Sequence, residues 1–193
     1  MRGVHTPFAR LSAVAAPACT LLLAACGSSP QAPPSTAAAP AIDVCPSATP
    51  ATDARTIALA GVTGSAEVTP PTETSAPRVV VATPYRVDRS QTVTAHAGTG
   101  AAIVDNSVVT VCYQGVNGRT GVVFDDAFAR ATSAEMALPD VVPGFRAALV
   151  GQRVGARVVT SVTAADGYPK GEPRAGAAPG DTLIFAITVL AAN

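Results

Sequence analysis

Tryptophan is absent from this sequence, lysine occurs once, at Lys170, and histidine twice. Only 4% of the residues are aromatic, so each aromatic in the second half of the chain needs a physical reason for being there. His96 has no neighbour in sequence that would complete a metal site or a catalytic triad. No Ser-His-Asp set and no cluster of metal ligands is visible, which argues against hydrolase chemistry of those kinds. Charge is equally sparse: 13 basic residues balance 13 acidic ones. A neutral chain without charge runs carries no electrostatic signature for nucleic acid or an acidic surface. A largely apolar run, residues 11–25, is interrupted by Ser12, Pro17 and Thr20. It is too short and broken for a membrane-spanning helix, which needs about 20 apolar residues. The surplus of Arg over Lys, with abundant Ala, Val and Pro, fits the coding bias of a GC-rich genome.

What is present begins with a targeting pattern. Arg2 and Arg10 flank the apolar run, which closes on Leu23-Ala24-Ala25-Cys26-Gly27. That ending resembles a bacterial lipobox. The resemblance implies a signal peptide over residues 1–25, cleavage before Cys26 and a lipid chain on Cys26, which would hold the protein at the outer face of the cell membrane. The competing reading is an ordinary secretory signal with a cysteine nearby. Residues 26–52 are rich in Ala, Pro, Ser and Thr, a composition that buries too little surface to offset chain entropy, and are expected to form a disordered tether. By composition alone the same stretch also fits a glycosylated stalk. Of the four cysteines, Cys19 would leave with the signal and Cys26 would be lipidated. Cys45 and Cys112 would then share a disulfide-permissive compartment, either paired or as two free thiols.

Residues 53–85 are expected to be an extension with short strands, with a loop over 65–77 and two β-prone runs, 78–81 and 85–87, kept to an edge by Pro84. Residues 91–96 alternate as an exposed strand would. Val109, Val111 and Tyr113 fall on one face of the next strand, which leaves Cys112 on the other. Asn117-Gly118 signals a tight hairpin turn before a return strand over 121–124. Residues 143–150 read as a short helix: Pro143 suits its first position, Gly151 its left-handed end, and Phe145, Ala148 and Leu149 share a face. Residues 157–163 and 182–190 are strands, with Val158, Thr160 and Val162, then Leu183, Phe185, Ile187 and Val189, facing inward. The Gly- and Pro-rich stretch between them, 164–181, is a long loop or flap, and such loops are more often functional than not. A lone helix among strands predicts an α+β fold, an antiparallel sheet curled over one helix.

The ordered series Val109-Thr110-Val111-Cys112-Tyr113-Gln114-Gly115, Gly121-Val122-Val123-Phe124-Asp125-Asp126, Val141-Val142-Pro143-Gly144-Phe145, Val154-Gly155, Gly167-Tyr168 and Pro179-Gly180-Asp181-Thr182-Leu183-Ile184-Phe185 resembles FKBP-type peptidyl-prolyl isomerases. The resemblance places such a domain over residues 86–193. It implies rotation about X-Pro bonds of polypeptide clients, by a monomer, with no cofactor and no metal. It also implies a site: Tyr113, Phe124, Asp125, Val142, Phe145, Tyr168 and Phe185 would act on the bound peptide, with Val141 and Met136 lining the substrate pocket. Phe145 stands where the family usually has tryptophan at the pocket floor. Val142 would offer a backbone N–H and Tyr168 a hydroxyl to peptide carbonyls, and Asp125 an acceptor near Tyr113. Taken singly, these residues also fit ordinary roles: Phe124, Phe185, Val141 and Val142 as core, Asp125 as a turn residue, the tyrosines as half-buried side chains with wet tips.

Three departures from the family pattern accompany these matches. They are Phe145 itself, Ala134 where an aromatic usually closes the pocket, and a flap over residues 169–178 without large apolar residues. They remove contact area and leave two readings: an isomerase that assists folding of exported or envelope proteins, or a weak or inactive FKBP-like module that binds peptides as a chaperone. A purely structural surface lipoprotein would leave the pocket residues without a purpose.

Overall fold

The computed structural model describes residues 43–193. The expected signal peptide, Cys19, the lipid site Cys26 and the tether as far as residue 42 lie outside the described residues. Nine strands and one helix follow in the order β1 (Ile57–Ala60), β2 (Thr63–Thr69), β3 (Arg78–Arg86), β4 (Gln91–His96), β5 (Val108–Asn117), β6 (Val123–Asp126), β7 (Ala134–Ala137), α1 (Pro143–Leu149), β8 (Arg157–Val162) and β9 (Leu183–Ala192). Strands β4 to β9 make one antiparallel sheet in the order β4-β8-β9-β5-β6, and β7 also pairs with β5.

One face of this sheet carries the helix. Val109, Val111, Val158, Val162, Leu183, Phe185, Ile187 and Val189 point to it and pack with Phe145, Ala148 and Leu149 of α1. The helix ends as its sequence dictates, with Pro143 in its first turn and Gly151 just beyond it at φ +85°. It also lies very close to the sheet. A Cβ at Gly144 would fall 2.2 Å from Val162 Cγ1.

The other face is covered as well. β1, β2 and β3 form a second antiparallel sheet, and its Leu59, Ala66, Val68 and Tyr85 pack against Val116, Val159, Ile184 and Ala186. The extension over residues 53–85 is thus a complete layer rather than isolated strands. Two expectations change accordingly. The predicted loop over 65–77 starts only after Thr69, because Ala66 and Val68 alternate inward and continue β2. The two runs around Pro84 form one strand, β3, on the sheet's edge, where a missing N–H costs no ladder bond.

Residues 43–52, expected as the end of a disordered tether, are held against the domain. Cys45 is buried and disulfide-bonded to Cys112, and the Ala76 N–H donates to the Ala48 carbonyl at 2.9 Å. As its alternation requires, Cys112 lies away from the helix face, in a small cluster with Ala127 and Phe128. The hairpin after β5 is wider than a two-residue turn. Asn117 stays paired with Leu183 of β9, its side-chain oxygen accepts from the N–H groups of Arg119 and Thr120, and the left-handed glycine is Gly121, not Gly118.

Candidate active site

The pocket opens on the helix side of the sheet. Phe145 comes from α1, Tyr113 from β5, Phe124 and Asp125 from β6, Phe185 from β9 and Tyr168 from the flap. Together with Met136, Asp140, Val141 and Val142 they line one cavity of about 280 Å³. That is the lower edge of the usual size for small-ligand pockets, about 300–1,000 Å³. Every pocket residue expected from the sequence therefore meets at one place; Cys45 and Cys112 form the disulfide behind the sheet, and Cys26 lies outside the described residues.

The aromatic rings interlock edge to face. Tyr113 meets Phe145 at 5.9 Å between centroids, Phe145 meets Phe185 at 5.3 Å, and Phe185 meets Phe124 at 5.9 Å, each pair close to perpendicular. Such pairs add about 0.5–1.5 kcal/mol beyond simple burial. Phe145 and Phe185 are 3% and 4% exposed, so they form the floor rather than the rim. Phe124 lies over Gly115, where a Cβ would sit 2.6 Å from its ring. The side-chain-free residue in β5 thus sets the tilt of one pocket wall.

The polar groups gather on the β6 side. The Tyr113 hydroxyl donates to Asp125 Oδ2, and Arg130 Nη1 donates to Asp125 Oδ1 at 2.7 Å. Burial pushes the Asp125 carboxyl up, but these two donors outweigh it and hold the group below the usual carboxylate range. Burial and the neighbouring carboxylate push the Tyr113 hydroxyl well above its ordinary value, so it stays protonated and remains a donor. Tyr168 is raised too, by burial first and then by Glu172 and Asp125. Among the described residues its hydroxyl makes no hydrogen bond, and neither does the Val142 N–H. Both residues line the cavity, so two donors beside it have no partner among the described residues.

Two residues of the site were missed in the sequence. Asp140 closes a short 3₁₀ turn, Leu138–Asp140, and lines the cavity. Its only signal was its place just before the Val141-Val142 pair. Arg130 was visible only as part of a loop, though it lies five residues after the acid that it grips. The departure at Ala134 has less effect than expected. Met136, two residues along β7, is the side chain that lines this side of the pocket. The flap is better anchored than its composition suggests. Ala175 and Ala177 are buried in the core. Asn117 Nδ2 donates to the Gly176 carbonyl and to Asp181, which Arg119 also holds at 2.8 Å.

Residues 100–190 match the model of the FKBP-type peptidyl-prolyl cis-trans isomerase family. No curated protein matches the chain in sequence. Many solved structures resemble it, among them the following three. The N-terminal domain of FKBP42 from Arabidopsis thaliana has a TM-score of 0.51 at 15% identity, over 55% of this chain and 87% of that one. A peptidyl-prolyl cis-trans isomerase from Pseudomonas syringae has a TM-score of 0.49 at 24% identity, over 55% and 77%. FkpA from Escherichia coli has a TM-score of 0.47 at 28% identity, over 54% and 47%. The Arabidopsis domain shares the fold, and residues 100–190, with the sheet-and-helix architecture derived above, form an FKBP-type peptidyl-prolyl cis-trans isomerase domain.

Proposed function

We propose that this protein accelerates cis–trans exchange at X-Pro bonds in exported or envelope polypeptides, from a lipid anchor at Cys26 on the outer face of a bacterial cell membrane. The barrier to be lowered is about 18–20 kcal/mol. At the top of that barrier the amide is twisted, has lost its resonance and is less polar than when planar. An apolar bowl that excludes water therefore favours the twisted form, and each 1.36 kcal/mol of that preference is about a tenfold gain in rate. No step transfers a proton to or from the peptide.

The observation that carries the reading is the pairing of an open aromatic cavity with two unused donors at its edge, the Val142 N–H and the Tyr168 hydroxyl. A proline ring fits against Phe145 between Tyr113, Phe124 and Phe185. The peptide carbonyls on either side then meet the two donors, which fixes the direction of the chain across the pocket. Met136 lines the cavity without closing it, which favours catalysis over a filled, binding-only module.

The test is exchange of a proline tetrapeptide by the full chain in detergent, beside Asp125→Ala and Phe185→Ala. Acceleration that falls in both variants supports the reading. No acceleration from folded protein that still binds the peptide would favour the chaperone module. The anchor is tested separately, by incorporation of labelled palmitate and membrane fractionation of Cys26→Ser. Label retained by that variant would refute lipidation at Cys26.

A further inference from the structure

Arg130 reaches Asp125 from a turn over residues 127–133. Ala131 sits at φ +51°, a left-handed conformation that a residue with a Cβ disfavours. Inside the turn, Ala131 N–H donates to the Phe128 carbonyl at 3.0 Å and Thr132 N–H to the Ala127 carbonyl at 3.1 Å. Ala129 N–H donates to Asp126 Oδ1 at 2.9 Å and the Thr132 hydroxyl to the Arg130 carbonyl at 3.0 Å. Its seat on the domain comes from the rear of the sheet. Phe128 is wholly buried and shares a cluster with Ala127, Cys45 and Cys112. The Ser133 N–H donates to the carbonyl of Asp43 at 3.0 Å, two residues before Cys45. Ala127 N–H donates to the Tyr113 carbonyl at 2.8 Å, and Tyr113 adjoins Cys112 in β5. The arm ahead of β1 therefore holds the Ser133 end of the turn by a hydrogen bond and packs Cys45 against Ala127 and Phe128 at the other end, which β5 also holds. The disulfide secures the arm to the strand that carries Tyr113.

We infer that the Cys45–Cys112 link and Phe128 are positioning elements of the isomerase pocket: they seat the 127–133 turn so that Arg130 orients Asp125 against Tyr113. The inference rests on the isomerase reading for its kinetic arm only. The titratable and charged groups around Asp125 are Tyr113 from β5, Arg130 from the turn, Tyr168, Glu172 and Arg174 from the flap, and Asp140 across the same cavity. Removing the cysteines alters none of them chemically, so any change at Asp125 reports a change in geometry.

The experiment compares the full chain with C45A/C112A, with Arg130→Ala, and with all three substitutions combined. Two quantities are read: the pH titration of the Asp125 carboxyl by carbon NMR, and kcat/KM for a proline tetrapeptide. In folded C45A/C112A the Asp125 midpoint moves up, and kcat/KM falls about tenfold, the scale of one charge-assisted hydrogen bond lost. In the Arg130→Ala background, removing the cysteines changes neither quantity further. An unmoved Asp125 midpoint, or an equal kinetic loss in both backgrounds, overturns the inference and assigns the link to stability alone. If C45A/C112A does not fold at the assay temperature, Phe128→Leu with the disulfide intact decides: its Asp125 midpoint rises, or the inference fails. If the unaltered chain shows no isomerase activity, the titration still decides this inference, and the functional reading alone is lost.

Discussion

The Tyr113 hydroxyl and the Arg130 guanidinium share the two oxygens of Asp125, one each. The carboxylate is thereby fixed in both charge and direction on the wall of an otherwise apolar bowl. Tyr113→Phe removes one donor and leaves the ion pair, whereas Asp125→Ala removes the acceptor and strands the tyrosine. Peptide exchange assays should therefore rank Asp125→Ala below Tyr113→Phe in kcat/KM, by about threefold to tenfold. Equal losses would mean that the hydroxyl, not the carboxylate, is what the peptide feels.

Acid stability should depend on Asp181. Burial pushes its carboxyl up, but Arg119, Asn117 and the Ala178 N–H more than compensate and hold it below its ordinary value. A group depressed in the folded state binds fewer protons there than when unfolded, so its stabilisation is present above the unfolded pKa, about 3.9, and is lost as pH falls through the folded value. Asp125 acts in the same direction but is more exposed, so its share is smaller. Urea unfolding of Asp181→Asn should show a flatter pH dependence than the unaltered chain as pH falls below about 5. An unchanged slope would place the acid-sensitive group elsewhere.

Gly144→Ala tests how tightly the helix is seated. Alanine gains about 1 kcal/mol of helix propensity over glycine. Its Cβ would nevertheless press into Val162, and overpacking of this kind costs about 1–3 kcal/mol. The variant should have a lower Tm and a weaker affinity for proline peptides, because Phe145 moves with the helix. A higher Tm would show that the helix has room to shift.

The disulfide should also carry ordinary stability. It closes a loop with a sequence separation of 67 residues. Chain-entropy arguments put such a cross-link at about 4 kcal/mol. Denaturant titration of C45A/C112A should register a loss of that order without a change in the far-UV spectrum. A loss below about 1 kcal/mol would mean that the unfolded chain keeps the arm near β5 without the bond.

The helix, its ends and the inward set of β9 were legible because each shows a period: three and four in Phe145, Ala148 and Leu149, two in Leu183, Phe185, Ile187 and Val189. The pocket was legible because its residues recur in a family order. The rear layer was not. Ile184 and Ala186 turn to the opposite face from Phe185, and Val159 does the same in β8. These strands are apolar on both sides, the pattern of a sheet covered on both faces. The cover itself, β1 to β3, has only weak alternation in short stretches of Thr, Ala and Val, which no local rule separates from loop. Arg130 was illegible for another reason. Its role depends on a turn held by residues more than eighty positions earlier, and nothing local reports that.

The rear sheet also separates the part of the chain that is recognised from the part that can stand alone. The family match begins at residue 100, yet β4 completes the main sheet and Tyr85, Leu59 and Val68 cover its far side. A fragment cut to the matched span would expose Val116, Val159, Ile184 and Ala186 to water, lose an edge strand and leave Cys112 without its partner. Such a surface is an aggregation site. The smallest autonomous unit therefore starts near residue 43, and a shorter piece would register as inactive for reasons unrelated to its catalytic pocket.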